Sequence, residues 1–485
     1  MLASGTENGP ANGSPGTNSL ARYDLRFGLH QVLKVLHVPF TFAPDPVGGT
    51  EVYVEGLAQE LRSCNIASII AAPSCKGVDE AYDYCGLRVR RYRSAPNSVH
   101  MLRELYGEGD PEAGLAFAEI LDEESPDIVH MHAFTRAVSI QLVRAAKQRG
   151  IPVVFTYHTP TVSCQRGTLM LWGTRVCDGV VEARRCTDCS LANEGLPRWA
   201  SMPLSYVPSF VAKTLENAAL SGGLWTGLRM ADLIRTRRNA FQALVSEVDG
   251  IIALKEWVRT LLIQNGVPTS KITMSPHGLV APADRPGTLI DAEQAPLRVA
   301  FFGRADYTKG IDTLIKAVKA APELKIELHL YGVIQKGTDH GYHTKLELLA
   351  GEDPRISFLA SVPHENVVPL LSGYHLLAVP SRWMETGPLV ILESFAAGTP
   401  VIGSNLGGIA EWVRHGENGL LVDFDDVLGW RDAFRRCAEN RRILVSLRRG
   451  VRPPRFMREV AHEMAHIYRN QPISPERECC DQWAL

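Results

Sequence analysis

Short apolar runs alternate with amphipathic stretches along most of the chain. Gln31–Val38 is rich in apolar and β-branched residues and predicts a strand, which a loop joins to a helix from Glu51 to about Cys64. Helices such as Thr135–Arg149 and Lys255–Gln264 are predicted further on. The remaining strands predicted for the first half are Ile66–Ala72, Ile128–His132, Val153–His158 and Gly250–Leu254. Apolar strands separated by helices are typical of an α/β protein whose parallel sheet is covered on both faces.

The same pattern restarts after a break. Ala281–Pro296 contains prolines, a glycine and acidic residues without any period, which is typical of a linker between domains. The second set of predicted strands is Leu297–Phe302, Ile326–Tyr331, Ile356–Leu359, Leu376–Pro380 and Pro400–Gly403. We therefore expect two α/β units with a cleft between them, and a ligand site beyond the carboxyl ends of the strands.

Composition narrows the class of protein. A chain of 485 residues with 45% hydrophobic residues can form two or three globular domains, and a formal net charge of -2 argues against a strongly basic nucleic-acid binder. The apolar runs are shorter than the ~20 residues that cross a bilayer, and Met1–Ser19 lacks the apolar core of a signal peptide. Ten cysteines in a chain of this length are not a disulfide scaffold. We expect a cytoplasmic protein with a flexible N-terminal tail.

One segment does not fit the alternation. Ala192–Arg238 is partly helical and mixes basic residues with Trp199, Tyr206, Phe210 and Trp225. This composition indicates a surface insertion with a small core of its own. Contact with a membrane surface or with an acceptor molecule is the alternative.

The stretch Ser381–Glu411 carries the most chemical information. Gly387 is expected to cap a helix whose first residue is Pro388. A glycine cap offers no side-chain oxygen, so the amides of Leu389 and Val390 would stay free. Free amides and the helix dipole together form an anion site.

Two glutamates flank this predicted anion site. Glu385 lies in the loop before the helix and Glu393 in its second turn, where a side chain leans back toward the N-terminus. A carboxylate can accept hydrogen bonds from both hydroxyls of a vicinal diol. One anion site with two carboxylates therefore fits a phosphorylated sugar compound such as a nucleotide sugar.

A pair of cations follows the first strand of the second half. Phe302-Gly303-Arg304 leads to Lys309-Gly310, and both glycines permit tight turns. A guanidinium can hold phosphate oxygens with two hydrogen bonds, and an ammonium adds a point charge. Two cations beside a helix N-terminus would stabilise a departing diphosphate without a metal.

These residues together resemble the GT-B glycosyltransferases, specifically the retaining family 4 group. Glu385 and Glu393 match the family's E-x7-E pattern, and Phe302 to Gly310 matches its F-G-R…K-G pattern. The resemblance implies that Arg304 and Lys309 bind the donor diphosphate, that Glu393 binds the nucleotide ribose and that Glu385 contacts the donor sugar. It extends from about Val32 to Tyr468.

Further residues take roles only through this resemblance. Gly48 and Gly49 look like the family's glycine loop at the phosphates, and His158 looks like the histidine facing the reacting sugar carbon. His130 and His132 resemble its strand-end histidines, which we expect to be structural orienters. Phe456–Asn470 would be the helix that crosses back to the first domain.

The implied architecture is the GT-B fold, two Rossmann-like α/β domains facing across a deep cleft. The expected divisions are a tail at 1–28, an N-terminal acceptor domain at 29–285 with a Cys-containing insertion at about 160–240, a C-terminal donor domain at 290–454, a returning helix at 455–471 and a tail at 472–485.

Three other sequence patterns indicate alternative functions or structural sites. His462, Glu463 and His466 match H-E-x-x-H, which would indicate a zinc metallohydrolase, although the match falls on the predicted returning helix. Asp423-Phe424-Asp425 matches D-x-D, but its place before a helix favours a capping role. Four clustered cysteines could close a structural zinc site, with free or redox-active thiols as the alternative: Cys164, Cys177, Cys186 and Cys189.

The sequence thus predicts a retaining transferase that moves a hexose from a UDP-, GDP- or ADP-linked donor to a glycan or glycolipid acceptor. His158, Glu385, Arg304 and Lys309 would act at the reacting bond, and catalysis would need no cofactor. Peripheral contact with the cytoplasmic membrane face is compatible with a lipid-linked acceptor. A non-catalytic sugar-nucleotide binder and a GT-B epimerase remain the alternatives beside the metallohydrolase.

Overall fold

A computed structural model describes residues 32–45, 48–95, 102–218, 220, 222–280, 295–332 and 340–471. The predicted tails 1–28 and 472–485, and residues 281–294 of the predicted linker, lie outside these ranges. None of the helices within the described ranges is both long enough and apolar enough to cross a membrane.

The first half of the chain builds an eight-stranded sheet. Its strands lie in the order β10-β9-β6-β5-β1-β2-β4-β3, and neighbours are parallel except for β3 and β4. Strands β7 and β8 form a separate antiparallel hairpin. The strands are β1 Leu33–Val38, β2 Ile66–Pro73, β3 Glu80–Tyr84, β4 Leu87–Tyr92, β5 Ile128–Met131, β6 Val153–Tyr157, β7 Met170–Leu171, β8 Arg175–Val176, β9 Gly250–Ala253 and β10 Ile272–Met274.

The second half builds a six-stranded sheet that is parallel throughout. Its order β13-β12-β11-β14-β15-β16 is the doubly wound arrangement. Successive strands are added on one side of β11 as far as β13, and then on its other side from β14 to β16. The five strands predicted here are found within one residue of their expected bounds, and the sixth, β16, was not predicted. The strands are β11 Leu297–Phe302, β12 Ile326–Tyr331, β13 Ile356–Leu359, β14 Leu376–Val379, β15 Val401–Ser404 and β16 Gly419–Val422. The predicted α/β class is confirmed.

Helices cover both sheets. They are α1 Gly49–Glu60, α2 Pro111–Glu124, α3 Ile140–Gln148, α4 Ala183–Asn193, α5 Arg198–Leu204, α6 Ser209–Asn217, α7 Gly223–Glu247, α8 Glu256–Gln264, α9 Ile311–Lys319, α10 His340–Ala350, α11 Val367–Leu371, α12 Leu389–Ala396, α13 Gly407–Trp412, α14 Val427–Glu439, α15 Arg441–Gly450 and α16 Met457–Arg469. The helix expected over Thr135–Arg149 begins only at Ile140, because Ser139 caps it by accepting the amide of Gln141.

Burial on both faces explains why the strands read as continuous apolar runs. Along β1, Val35 enters one core and Leu36 the core on the opposite face, and both are fully buried. In the second sheet Val299 and Ala300 divide between two cores in the same way. Successive side chains of a strand point to opposite faces, so a doubly covered sheet favours apolar residues at most positions.

The last helix packs against the first half of the chain. Met457, Val460, Met464 and Tyr468 of α16 are buried in the same core as residues of α1 and β1. This helix joins the C-terminal end of the chain to the N-terminal sheet.

The two halves also touch directly across the cleft. The amide of Met384 donates to the carbonyl of Thr168 over 3.0 Å, and the Thr386 hydroxyl donates to the carbonyl of His158. The loop after β14 therefore lies against the loop after β6. Both loops follow the carboxyl ends of parallel strands, where ligands of such sheets bind.

Candidate active site

The predicted anion site is the N-terminus of α12. Ile391, Leu392 and Phe395 are buried and anchor this helix, and its cap carries no side-chain hydrogen bond. Within the described residues the amides of Leu389 and Val390 have no hydrogen-bond partner. They are free to bind an anion, and the helix dipole favours one there.

The expectation that Pro388 is the first residue of this helix is wrong. Pro388 is the cap, with extended backbone angles of φ -66° and ψ 118°, and the helix starts at Leu389. Gly387 precedes the cap at φ +148°, a conformation that disfavours side chains. A Cβ on Gly387 would lie 2.7 Å from Trp412 Cη2, so only glycine lets the loop approach this ring.

Glu385 and Lys309 meet beside the helix tip. Lys309 Nζ lies 2.9 Å from Glu385 Oε1, and Trp383 Nε1 donates to the same oxygen over 3.1 Å. Ser381 also donates to this oxygen, and Glu385 is buried. The carboxylate is thus held in place by three donors, of which one is a cation.

A glycine brings Lys309 to this position. Gly310 has φ +69°, and a Cβ there would lie 2.1 Å from the carbonyl oxygen of Pro380. The turn after β11 can therefore pack against the loop that carries Glu385. Gly303 continues the sheet, since its amide donates to the carbonyl of Tyr331 over 3.1 Å.

Arg304 is the second cation of the predicted pair. Its side chain is exposed and makes no hydrogen bond or ion pair with any described residue. Burial raises the pKa of Glu51, and the amide of Gly48 and the charge of Arg304 partly oppose this shift. The guanidinium therefore lies within electrostatic reach of the first turn of α1.

The predicted glycine loop faces the tip of α12. Gly48 caps α1, its amide donates to Glu51 Oε2 over 2.8 Å, and Gly49 begins the helix. A Cβ on Gly49 would lie 3.7 Å from Leu389 Cδ1. Two helix N-termini, one from each domain, thus lie close together.

His158 lies beside these two helix N-termini, between Tyr53 of α1 and Thr386 of the loop before α12. It is buried, and its ring is 4.9 Å from that of Tyr53 and 5.8 Å from that of His277 between centroids. Burial lowers the pKa of His158 to about 3, so the imidazole is neutral near pH 7. His130 and His132 stand behind it at the ends of the neighbouring strand.

Glu393 forms a pair that no short motif revealed. His364 Nε2 lies 2.7 Å from Glu393 Oε1, and Glu393 is buried while His364 is about half exposed. The hydrogen bond to this carboxylate raises the pKa of His364. His364 and Glu393 are 29 positions apart in the chain, so only the folded structure brings them together.

Arg382 was also missed by sequence reasoning. It is buried, and its two terminal nitrogens contact Asp312 Oδ1 and Oδ2 at 2.7 and 2.9 Å. Burial acts to raise the pKa of Asp312, but Arg382 holds it well below its usual range. The Arg382 amide donates to the Thr308 carbonyl over 2.7 Å, which ties the Lys309 turn to the Glu385 loop.

The competing motifs take structural positions. Glu463 accepts from Ser275 Oγ over 2.6 Å and pairs with Arg455 Nη2 at 2.9 Å, and His466 contacts Asn470 at 3.0 Å. The cap of α14 is Asp426, not Asp423 or Asp425, and Asp425 instead pairs with Arg382. A zinc hydrolase centred on His462 gains no support from this packing.

The four cysteines line one apolar cavity with Arg166 and Arg237. Cys164, Cys177, Cys186 and Cys189 are all free thiols. In the part of the chain that the structure covers, the one His/Cys/Asp/Glu group with ligand atoms within 4.8 Å of one another is His37, His130 and His132. The four-cysteine zinc site therefore stays a prediction.

Two Rossmann-like domains whose facing edges bring the N-termini of α1 and α12 close together are the arrangement of the GT-B fold. The family model described as a glycosyl transferase 4-like domain matches residues 48–278, and that described as glycosyl transferases group 1 matches residues 296–440. The chain belongs to the GT-B glycosyltransferases of the family 4 type, and it is an enzyme.

Curated relatives match part of the chain. A D-inositol 3-phosphate glycosyltransferase of Nocardia farcinica is 30% identical over 250 residues, which are 49% of this chain and 53% of the relative. One from Corynebacterium glutamicum is 38% identical over 142 residues, 28% of this chain and 34% of the relative. The chain spans about a third to a half of the length of these relatives.

Solved structures match nearly the whole chain at low identity. Sucrose-phosphate synthase from Thermosynechococcus elongatus gives a TM-score of 0.61 at 18% identity and covers 90% of this chain and 98% of its own. Anabaena HepE in complex with UDP and glucose gives 0.59 at 15% identity and covers 90% and 100%. These likenesses confirm the predicted GT-B fold.

Proposed function

We propose that this enzyme transfers a hexose from a nucleoside diphosphate sugar to a hydroxyl of a glycan or lipid-linked glycan, with retention of anomeric configuration. The observation that supports this proposal is the closeness of two helix N-termini from opposite domains, α1 at Gly49 and α12 at Leu389. Arg304 and Lys309 would add two cations to the same site. A pyrophosphate is the anion that such a charge distribution favours.

The leaving diphosphate would depart under electrostatic assistance. As the bond from the anomeric carbon to oxygen breaks, negative charge grows on the diphosphate, and the amides of Leu389 and Val390 with Arg304 and Lys309 stabilise it. These groups supply positive charge from the protein itself, so the proposed step needs no metal. The contact between the loops of His158 and Thr386 would help to exclude water from a bound sugar.

Retention follows from attack on the face that the leaving group vacates. The departing phosphate oxygen would accept the proton of the acceptor hydroxyl, so no separate general base is required. His158, which is neutral, would place no positive charge beside the anomeric carbon while that carbon becomes electron-poor. Glu385 would bind a hydroxyl of the sugar, and Glu393 the ribose.

The acceptor is a separate question. The curated relatives are named for D-inositol 3-phosphate, and that compound belongs in the acceptor panel beside glycans and glycolipids. A lipid-linked acceptor is supported by six exposed apolar side chains in the segment from α5 to the start of α7, namely Trp199, Met202, Tyr206, Phe210, Leu224 and Trp225. Aromatic side chains of this kind favour a membrane interface.

Vesicle sedimentation tests the membrane contact. The full chain should sediment with vesicles of anionic phospholipid, and Trp199→Ser with Phe210→Ser should remain in the supernatant. Equal sedimentation of both proteins would remove the support for a lipid-linked acceptor.

A thermal-shift screen of UDP-, GDP- and ADP-sugars tests the donor proposal, because a ligand that binds only the folded state raises its stability with the logarithm of saturation. The donor that shifts the transition is then incubated with the acceptor panel, and the anomer of the product is read by NMR. Binding without transfer to any acceptor would indicate a sugar-nucleotide binder, and a change of the sugar without acceptor would indicate an epimerase.

A further inference from the structure

Four side chains form a hydrogen-bonded row along the N-terminal sheet. Ser68 Oγ lies 3.3 Å from His37 Nε2, His37 Nδ1 lies 3.2 Å from His132 Nε2, and His132 Nδ1 lies 3.1 Å from His158 Nε2. We call Ser68, His37, His132 and His158 the histidine relay. Each residue comes from one of four adjacent strands, β2, β1, β5 and β6, or follows it directly.

The three imidazole rings of the relay are uncharged. His37, His132 and His158 are buried, and burial lowers the pKa of His37 and of His158 to about 3 and holds that of His132 well below its usual range. Each ring is therefore neutral at physiological pH. A neutral imidazole has one N–H donor and one acceptor nitrogen.

Donors and acceptors must alternate along such a row. If one ring donates to its neighbour, that neighbour must accept at the contacted nitrogen and carry its hydrogen on the other one. All the histidines therefore point their N–H groups in the same direction, and the residue at one end fixes the direction for the whole row.

Ser68 supplies that end. Within the described residues its hydroxyl has His37 as its one hydrogen-bond partner. A hydroxyl can donate to an imidazole nitrogen or accept from it, so the row has two possible directions, and the inferred one starts with Ser68 donating to His37 Nε2. His37 then donates from Nδ1 to His132 Nε2, and His132 donates from Nδ1 to His158 Nε2. His158 is left with its hydrogen on Nδ1, and no described residue accepts a hydrogen bond from that nitrogen.

We propose that Ser68, His37 and His132 are positioning residues that hold His158 as the neutral Nδ1–H tautomer. This nitrogen then donates a hydrogen bond to an oxygen of the bound nucleotide sugar. The choice of ligand rests on the proposed function, whereas the tautomer does not. An uncharged N–H group can bind an oxygen of the sugar without placing positive charge beside the anomeric carbon, which becomes electron-poor in the reaction.

His130 stands beside the relay and does not belong to it. Its Nδ1 contacts the Tyr468 hydroxyl at 2.6 Å and its Nε2 contacts Thr156 Oγ1 at 2.7 Å, so both nitrogens have partners. His37, His130 and His132 are also close enough together to hold a metal ion. A metal would take the lone pairs that the relay uses, so the two arrangements exclude each other.

The tautomer can be read without turnover. Full-length protein carrying ¹⁵N-labelled histidine is examined by long-range ¹H–¹⁵N correlation, which separates protonated from bare ring nitrogens by chemical shift. The His158→Gln spectrum identifies the signals of His158. In the wild type we expect a protonated Nδ1 and a bare Nε2 at His158.

Ser68→Ala removes the group that sets the direction. We expect the His158 signals to move toward the other tautomer and kcat/KM to fall about fivefold, as loss of one neutral hydrogen bond does. Ser68→Thr should restore both readings. The matched control is Thr156→Val, which removes a buried hydroxyl bonded to His130 and should leave the His158 tautomer unchanged.

Three results would overturn the proposal: a protonated Nε2 on His158 in the wild type, unchanged His158 signals in Ser68→Ala, or a stoichiometric metal ion in elemental analysis of the wild-type protein. The expected tautomers without sugar transfer to any acceptor would leave the relay standing and remove the proposed function instead.

Discussion

Replacing Arg304 by alanine tests the binding of the donor diphosphate in a variant that should still fold normally. The side chain is exposed and makes no hydrogen bond or ion pair within the described residues, so its loss leaves no buried group without a partner. Lys309 is less suitable, because removing it would leave the buried Glu385 carboxylate without its cation. Such a variant could lose activity through misfolding alone.

The expected magnitudes differ between rate and stability. Loss of one preorganised group that stabilises charge in the transition state lowers kcat by about 10²–10³, or roughly 2.7–4 kcal/mol. An exposed substitution away from buried networks changes the free energy of unfolding by about 0.5 kcal/mol or less. Arg304→Ala should therefore be a folded protein with a slow chemical step.

The assay measures nucleotide release with the donor that the thermal-shift screen identifies, and urea unfolding gives the free energy of unfolding. Arg414→Ala is the matched control, because Arg414 is an exposed arginine of the same domain that pairs with Glu417 on the surface. The control should match the wild type in both measurements.

A wild-type rate for Arg304→Ala would refute the reasoning, since the diphosphate would then bind away from the end of β11. An equal loss of rate in Arg414→Ala would show that any change of surface charge slows the enzyme. A large loss of stability in Arg304→Ala would mean that the arginine has a structural role.

Three further outcomes are expected. Gly387→Ala should abolish the donor-induced thermal shift, because its Cβ would lie 2.7 Å from Trp412 at φ +148°, and this should cost about 1–3 kcal/mol in urea unfolding. His364→Gln should destabilise the protein more at pH 6 than at pH 9, because a raised pKa means that the bond to Glu393 stabilises at low pH and is lost as pH rises through that pKa; equal losses would contradict this. Tyr468→Phe should lower the free energy of unfolding by about 1–3 kcal/mol, because the buried Nδ1 of His130 loses its partner; an unchanged urea midpoint would show that this bond contributes nothing.

The fold was predictable to a large extent from the chain. Doubly buried strands are apolar at most positions, so the alternation of such runs with helices indicated two sheets and nearly all strand bounds in the second one. Strand β16 was not predicted although it is as long as β13, and strands β3, β4 and β10 of the first sheet were not predicted either.

Local parts of the site were predictable for a similar reason. Glu385, Gly387 and Glu393 lie within one loop and the helix that follows, so their spacing alone places them near one helix tip. The exact start of that helix was not predictable, because proline fits both the cap and the first turn, and only the extended ψ of 118° at Pro388 makes it the cap.

By itself, the sequence determined which elements form and which residues sit at the carboxyl ends of their strands, since both depend on neighbours within a few positions. Tertiary structure alone decided which of these ends meet. The pairing of Lys309 with Glu385, of His364 with Glu393 and of the rings in the histidine relay joins residues far apart in the chain. Strand order and the closing of two domains set those distances, and no short spacing encodes them.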